Sequence, residues 1–164
     1  MPAVPGHKRP SNIFITKSMR RESELRAEYE VKLRDADGSI IDAKFRCFDD
    51  SMVHFDAPCR LVLTFQSEEM LASSTDFFGA LDKVRFQLES RNIFPLVNGV
   101  GLGRYPSGMA RDMGSGLSVY RLRLGERATT EDLIRTFEDD DLVESATVKD
   151  QRAFYERWLE SFKA

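Results

Sequence analysis

The chain has 164 residues, of which 41% are hydrophobic and 31% are charged, and its formal net charge at pH 7 is −3. A chain of this length and composition is typical of one globular domain whose core needs neither disulfides nor metals. The slightly negative charge disfavours a general nucleic-acid-binding protein.

Residues 1–12 contain three prolines but no apolar run. They predict a flexible N-terminal arm, not a secretory signal or a membrane anchor, followed by a single domain over residues 13–164. No apolar stretch approaches the roughly 20 residues that cross a bilayer. The two cysteines, Cys47 and Cys59, fit buried reduced thiols. These features predict a cytoplasmic protein that makes no contact with a membrane.

Four segments in the first half of the chain predict strands. Apolar and charged residues alternate over residues 25–34, which indicates a strand with one buried face. An Asp-Gly pair at residues 37–38 predicts a hairpin turn, and a second alternating run over residues 41–47 predicts the antiparallel return strand. A short strand is expected at residues 52–55. The more continuous apolar run at residues 61–65 predicts a central strand.

Three later segments have helix-start signals before apolar residues at helical spacing. The first helix is predicted to follow Ser73 and to end near Arg91. The second is predicted to follow Thr129, which has Asp132 three residues later, and the third follows Thr147. The apolar face of the third helix is expected to consist of Phe154, Tyr155, Trp158, Leu159 and Phe162.

Residues 93–97 and 119–124 predict two further strands, and Pro95 indicates that the first of these lies at a sheet edge or a bulge. Strands come first along the chain and helices come later, which favours an α+β fold. We therefore predict an antiparallel sheet of about five to six strands, with one central helix and two C-terminal helices packed on it.

A glycine-rich stretch, residues 98–116, holds six of the ten glycines. It is too long for a hairpin turn, and long ordered loops are often functional. Gly103 and Gly108 have the spacing of a phosphate-binding loop, but Met109 replaces the required lysine. The dinucleotide fingerprint fails because Pro106 stands where its third glycine would be. The stretch therefore predicts no nucleotide and no other cofactor.

Catalytic and metal-binding patterns are incomplete. His54 is the one histidine outside the predicted arm, and it fits a structural position at a strand edge. A pairing of His54 with Cys47 or Cys59 stays open, although no family signature supports it. Two cysteines and one histidine do not complete a zinc site. We assign no catalytic and no metal-ligating residue, and a non-enzymatic protein is favoured over an enzyme.

The glycine-rich stretch supplies the first group of candidate binding residues: Arg104, Tyr105, Arg111 and Asp112. Two arginines can hold a carboxylate or a phosphate bidentately, and tyrosine and arginine often anchor protein interfaces. The structural alternative is that Tyr105 and Met109 pack into the core while Arg111 pairs with Asp112 or another nearby acid.

An acidic cluster supplies the second group: Asp139, Asp140 and Asp141. It lies in residues 126–164, which hold eleven acidic and six basic residues. Such a region complements a basic partner and accelerates association with it. We therefore expect the cluster to contribute to binding of a basic protein.

The segments YPSGMARDMGSG (residues 105–116) and YRLRLG (residues 120–125), followed by residues 147–158, resemble a group of small uncharacterised bacterial proteins. That group is associated with the immunity proteins of bacterial toxin systems. The resemblance extends over roughly residues 81–159. It implies a cytoplasmic bacterial protein that binds another protein, and it implies no catalytic residue.

The leading hypothesis is a non-enzymatic protein-binding module, of the toxin-neutralising immunity type, whose partner is a toxin. The alternative is a small-anion-binding protein or an enzyme, in which Arg104 and Arg111 of the stretch 98–116 converge on one pocket. Homo-oligomer formation stays open. A third hypothesis, disfavoured by the net charge, is nucleic-acid binding through Arg85, Arg104, Arg121 and Arg123.

Overall fold

The computed structural model describes residues 23–140 and 142–163. The predicted arm and Asp141 lie outside these ranges. The strands are β1 (Glu24–Arg34), β2 (Ile40–Asp49), β3 (Cys59–Phe65), β4 (Glu68–Ser74), β5 (Phe94–Pro95), β6 (Arg104–Tyr105), β7 (Ser118–Arg121) and β8 (Leu133–Arg135). The α-helices are α1 (Phe77–Glu89), α2 (Gly108–Asp112) and α3 (Val148–Glu160).

The larger sheet is antiparallel and has five strands, in the order β4-β3-β2-β1-β5. Gly38 has a φ of +86° in the turn between β1 and β2, so the predicted hairpin is confirmed. Leu33 and Phe45 are fully buried on one face. Lys44 forms an ion pair with Glu30 (3.2 Å) on the other face. The alternating pattern therefore predicted both the strands and their buried side.

The edge strand β4 was not anticipated. A helix start was predicted at Ser73, but Ser73 lies in β4 and pairs with Arg60 of β3. Gln66 and Ser67 form the connecting two-residue turn with φ values of 46° and 60°. Such turns usually contain glycine or asparagine, so this one has no recognisable sequence signal. Lys83 of α1 donates a hydrogen bond to the Ser73 carbonyl oxygen at the edge of the sheet (2.6 Å).

Helix α1 begins after Asp76, whose side chain accepts a hydrogen bond from the Gly79 backbone N–H (2.6 Å). The helix cap is therefore three residues later than the predicted Ser73. Leu81, Val84 and Leu88 are fully buried in the core that α1 shares with the sheet.

The smaller sheet has three antiparallel strands, in the order β6-β7-β8. The predicted helix after Thr129 is wrong. Thr129 and Asp132 do form a capping box, but it starts only the 3-10 turn Thr130–Asp132. The next three residues pair with β7 as strand β8. A capping box provides hydrogen-bond partners for the backbone N–H groups of one turn, and it does not determine the conformation of the residues that follow. Within the described ranges, the chain therefore has one long C-terminal helix where two were predicted.

Two shorter predictions also differ from the structure. Residues 52–55 form turns, not a strand, with Met52 and Phe55 85% and 88% exposed. The His54 backbone N–H bonds to the Asp50 carbonyl oxygen, so this histidine lies in a turn and not at a strand edge. Pro95 does lie at the sheet edge, as predicted, in a strand of only two residues.

None of the helices within the described ranges is long and apolar enough to cross a bilayer.

Candidate functional site

The glycine-rich stretch is folded into short elements, in contrast to the single long loop that was predicted. It contains the 3-10 turn Asn98–Val100, strand β6 and helix α2. The Gly99 backbone N–H bonds to the Thr136 carbonyl oxygen (2.8 Å). Gly116 has a φ of +70°, and a Cβ atom there would lie 2.7 Å from the Phe78 backbone nitrogen. The glycine at position 116 therefore allows the stretch to pack directly on α1.

A buried polar connection joins this stretch to α1 and α3. Arg85 of α1 and Gln151 of α3 are each 1% exposed. The Arg85 guanidinium donates to Gln151 Oε1 (2.6 Å) and to the Ala146 carbonyl oxygen (2.7 Å). Arg85 is therefore not accessible to nucleic acid, so the disfavoured third hypothesis loses this residue. The Gln151 side-chain amide donates in turn to the carbonyl oxygens of Gly99 (2.8 Å), Gly101 (3.1 Å) and Arg104 (2.8 Å).

Asp82 lies beside this connection, with its carboxylate 3.2 Å from the Arg85 guanidinium. Burial raises the pKa of Asp82 to about 6, although the positive charges of Arg85 and Arg111 oppose the shift. Asp82 is therefore a carboxyl group that gains its charge only near neutral pH.

The two arginines of the stretch have separate carboxylate partners. Arg104 donates to Asn98 Oδ1 (2.6 Å) and forms an ion pair with Asp140 (3.0 Å). Arg111 forms an ion pair with Asp76 (2.6 Å), the cap of α1. An external anion would have to displace these carboxylates, which the anion-binding alternative did not anticipate. Arg111 pairs with an acid, as the structural alternative expected, but with Asp76 and not with Asp112.

The remaining acidic candidates lie in different environments. Asp112 is exposed at the end of α2. Asp139 forms an isolated antiparallel bridge with Val97. Asp140 is already paired with Arg104, and Asp141 lies outside the described residues. The predicted acidic cluster is therefore partly engaged within the fold.

Tyr105 belongs to a continuous series of aromatic contacts. Its ring packs edge-on against Phe78 of α1, with centroids 5.1 Å apart, and stacks on Tyr155 of α3, with centroids 4.2 Å apart. Tyr155 stacks on Trp158 (6.1 Å), and Trp158 meets Phe162 nearly perpendicularly (4.8 Å, 87°). The series thus runs from the buried ring of Phe78 in α1 to the exposed ring of Phe162, just beyond the end of α3.

All of these rings except Phe78 line an open groove of about 680 Å³ between α3 and the segment that precedes β8. Tyr120 and Leu122, in β7 and just after it, line it as well. We call this the aromatic groove. Its defining residues are Tyr105, Tyr120, Arg127, Tyr155, Trp158 and Phe162.

Hydrogen bonds fix one wall of the aromatic groove. Trp158 Nε1 donates to the Glu126 carbonyl oxygen (2.9 Å), and the Gly125 backbone N–H donates to Ser161 Oγ (2.9 Å). These two bonds hold the segment before Arg127 against α3. The width of the groove is therefore set by structure that is present without a ligand.

Several polar groups in the groove have no partner within the described part of the chain. The hydroxyl groups of Tyr105, Tyr120 and Tyr155 form no hydrogen bond with any residue in these ranges. Arg127 is exposed and forms no ion pair there. Burial raises the pKa of Tyr105, so its hydroxyl group remains a donor at neutral pH. The groove thus offers three hydroxyl groups and one cation to a ligand.

A second depression, of about 510 Å³, adjoins the aromatic groove and shares Ser107 and Tyr120 with it. Met109 and Leu133 line this depression and are 71% and 43% exposed. We call it the methionine surface. The expectation that Met109 packs into the core is therefore wrong.

Of the predicted binding residues, Tyr105 lines the aromatic groove. Sequence reasoning assigned Tyr155, Trp158 and Phe162 to an apolar helix face that packs inward. In α3, only Val148 and Gln151 are buried. No motif marks Tyr120 or Arg127, since their role depends on how α3 crosses the small sheet.

The two cysteines lie away from the groove, in strands β2 and β3 of the larger sheet. Cys47 and Cys59 are free and buried, as expected, and burial raises their thiol pKa values to about 12 and about 11. Within residues 23–140 and 142–163, no three metal-ligating side chains come together.

No protein-family model and no curated protein matches this chain. Its function is therefore inferred from the aromatic groove itself.

Proposed function

We propose that this protein is a non-enzymatic protein-binding module of the toxin-neutralising immunity type, and that the aromatic groove is its binding surface. The observation that supports this proposal is the open groove of about 680 Å³. It is lined by three tyrosines, one tryptophan, one phenylalanine and one arginine that forms no ion pair with the residues the structure describes. Tyrosine, tryptophan and arginine are the residues that most often dominate the energy of protein interfaces.

Preorganisation supports this proposal. Tyr105 and Tyr155 stack on each other at 4.2 Å with ring planes 15° apart. The carbonyl oxygen of Arg104, which precedes Tyr105, is held by the Gln151 amide. Side chains that are already ordered lose little conformational entropy when a partner binds. The groove therefore has the properties of a binding surface that needs little rearrangement.

The methionine surface enlarges the proposed interface. Methionine side chains are flexible and polarizable, and they adapt to partners of different shape. Met109 and Leu133 lie beside Tyr120, so a partner in the aromatic groove is expected to extend over them. Exposed apolar surface of this kind marks interaction sites in folded proteins.

The immunity assignment within this proposal rests on the resemblance of residues 105–116, 120–125 and 147–158 to small bacterial proteins that are associated with the immunity type. These segments include Tyr105, Tyr120, Tyr155 and Trp158, so the resemblance and the aromatic groove fall on the same residues. The acidic C-terminal region, residues 126–164, is proposed to steer a basic toxin toward the protein.

The test is affinity capture from a bacterial lysate with three forms of the full chain: the wild type, Tyr155→Ala/Trp158→Ala and Arg152→Ala/Glu156→Ala. The last is a matched control, because its two residues are 71% and 67% exposed on the same helix outside the groove. We expect a stoichiometric partner with the wild type and the control, and loss of that partner with the groove variant.

The captured protein is then expressed alone and together with each form. Growth inhibition that the wild type relieves and the groove variant does not is the expected result. A partner retained by the groove variant would remove the aromatic groove from the proposal. A partner without toxicity would remove the immunity assignment and leave the protein-binding function.

A further inference from the structure

We propose that the aromatic groove binds an extended, proline-rich segment that carries an acidic residue beside its prolines. This inference rests on the proposed function, since it names the class of partner segment that the same groove takes. Three features of the groove carry it: the spacing of its rings, its unpaired hydroxyl groups and its one cation.

The rings at the C-terminal end of α3 are spaced at a distance that matches a polyproline helix. The ring centroids of Tyr155 and Trp158 are 6.1 Å apart, and those of Trp158 and Phe162, which follows the end of α3, are 4.8 Å apart. The row of three rings therefore spans at most about 11 Å. A polyproline helix advances about 3.1 Å per residue and repeats every three residues, so one turn is about 9 Å long. Successive proline rings on one side of such a segment therefore meet the two ends of this row of aromatic side chains.

The orientation of the rings suits the same ligand. Tyr155 and Trp158 are 20° from parallel, whereas Phe162 stands at 87° to Trp158. Rings in this arrangement form ridges with shallow slots between them. Aromatic-lined grooves of this type bind proline-rich segments, whose stiffness keeps the entropy cost of binding low.

The unpaired hydroxyl groups favour a polyproline helix over other peptide conformations. A polyproline helix has no internal hydrogen bonds, so its carbonyl oxygens need donors. Tyr105, Tyr120 and Tyr155 supply three hydroxyl donors in the groove. An α-helical partner has used its carbonyl oxygens internally, and an added β-strand needs an open backbone edge. The groove is lined by side chains whose hydroxyl groups can donate hydrogen bonds to the carbonyl oxygens of a polyproline helix.

Arg127 determines the charge of the segment. It is the one charged side chain that lines the groove, and it forms no ion pair with any residue the structure describes. Aromatic faces attract cations, but the Arg127 charge repels them from this site. Charge complementarity therefore selects an acidic residue. The chain's own residues 1–22 contain prolines, but they carry five Lys/Arg and one Glu and so have the wrong charge.

Trp158 allows a direct test, because it is the only tryptophan in the chain and lies in the groove. The full chain is titrated with three synthetic octapeptides while tryptophan fluorescence is recorded. The first has six prolines followed by two glutamates. The second has the same prolines followed by two lysines, and the third has alternating glycine and serine followed by two glutamates.

We expect a saturable emission change with the proline-glutamate peptide and about tenfold weaker binding of the glycine-serine peptide. The lysine peptide is expected to bind about threefold to tenfold more weakly than the glutamate peptide. Arg127→Glu is expected to reverse this charge preference. Arg135→Glu, a change at an exposed arginine of β8 outside the groove, is expected to keep it.

Equal affinity for the proline-glutamate and glycine-serine peptides, or no saturable change, would overturn the proline assignment. If the Tyr155→Ala/Trp158→Ala variant still loses its captured partner in that case, the protein-binding function stands and only this inference fails. Unchanged charge preference in Arg127→Glu would overturn the acidic assignment. An emission change that follows protein concentration without peptide would identify a second copy as the occupant and overturn the proposal.

Discussion

Helices α1 and α3 each have 13 residues and an amphipathic sequence, yet they bury very different numbers of residues. Helix α1 buries seven of its residues, and five of these, including Phe77, Leu81 and Leu88, belong to the core that it shares with the larger sheet. Helix α3 buries only Val148 and Gln151. The difference shows that an amphipathic sequence predicts an apolar helix face but does not predict how fully that face is buried in the fold.

Several polar contacts hold helix α3 in place. Gln151 is hydrogen-bonded to α1 and to the glycine-rich stretch. The Val148 backbone N–H donates to Glu89 Oε1 of α1 (2.7 Å). Trp158 donates to the Glu126 carbonyl oxygen through its ring edge. Because these contacts fix the helix, its aromatic side chains are free to form the groove.

The sharpest test of this contrast is a matched pair of leucines. Leu81 of α1 is fully buried and Leu159 of α3 is 43% exposed. We expect Leu81→Ala to lower the free energy of unfolding by about 3 kcal/mol, through lost burial and a residual cavity. Leu159→Ala is expected to lower it by less than about 1 kcal/mol. Urea denaturation of both variants measures the difference, and equal losses would show that α3 contributes as much to folding as α1.

A matched pair of glycines tests the same contrast within the glycine-rich stretch. Gly116→Ala places a Cβ atom 2.7 Å from the Phe78 backbone nitrogen, at a φ of +70°. We expect a loss of about 2 kcal/mol from this strain. At Gly108, a Cβ atom has no heavy atom within 4 Å, and Gly108→Ala is expected to change stability by less than about 0.5 kcal/mol. Thermal unfolding of the two variants compares them. A neutral Gly116→Ala variant would mean that the stretch is not packed tightly on α1.

The smallest expected change in stability comes from Asp82 of α1, which lies beside the contact between Arg85 of α1 and Gln151 of α3. The pKa of Asp82 is about 6 in the folded protein and about 4 in an unfolded chain. The folded state therefore binds more protons between these values, and this group makes stability fall by at most about 2 kcal/mol as the pH rises from 4 to 6. Asp82→Asn is expected to lack that fall.

The measurement is the free energy of unfolding of the wild type and Asp82→Asn at pH 4, 5, 6 and 7. Other titrating groups are common to both proteins, so the difference between the two curves isolates Asp82. The difference should grow in favour of Asp82→Asn as the pH rises. Parallel curves would show that Asp82 ionises with an ordinary pKa in the fold.

The hairpin of β1 and β2 and the core face of α1 were predictable, because their periodicity lies in neighbouring residues. Strand β4 lacked both alternation and a glycine turn, so its sequence carried no signal. Thr129 and Asp132 show a different limit. Their capping box is real, but the same local hydrogen bonds begin either a helix or a single turn.

The candidate site was less predictable than the fold. Residue type alone marks Arg111 as a candidate binding residue. Its ion-pair partner Asp76 is 35 residues away in the chain, so the sequence around Arg111 does not predict the pair. Tyr105 and Tyr120 come from separate segments and are brought together by the pairing of β6 with β7, and Tyr155 joins them through the packing of α3 on the small sheet. Local sequence patterns contain no information about such encounters, and this is why the aromatic groove became visible only in the structure.

The bond from Lys83 to the Ser73 carbonyl oxygen has a consequence for solubility at high concentration. Strand β4 forms one edge of the larger sheet, and an exposed edge is a template for aggregation. A strand added there would have to displace the Lys83 ammonium group. It would also meet the charged side chains of Glu68 and Glu69 at the start of the strand. Both costs oppose edge-to-edge association, so a single lysine on a neighbouring helix helps to keep the sheet from growing beyond its own chain.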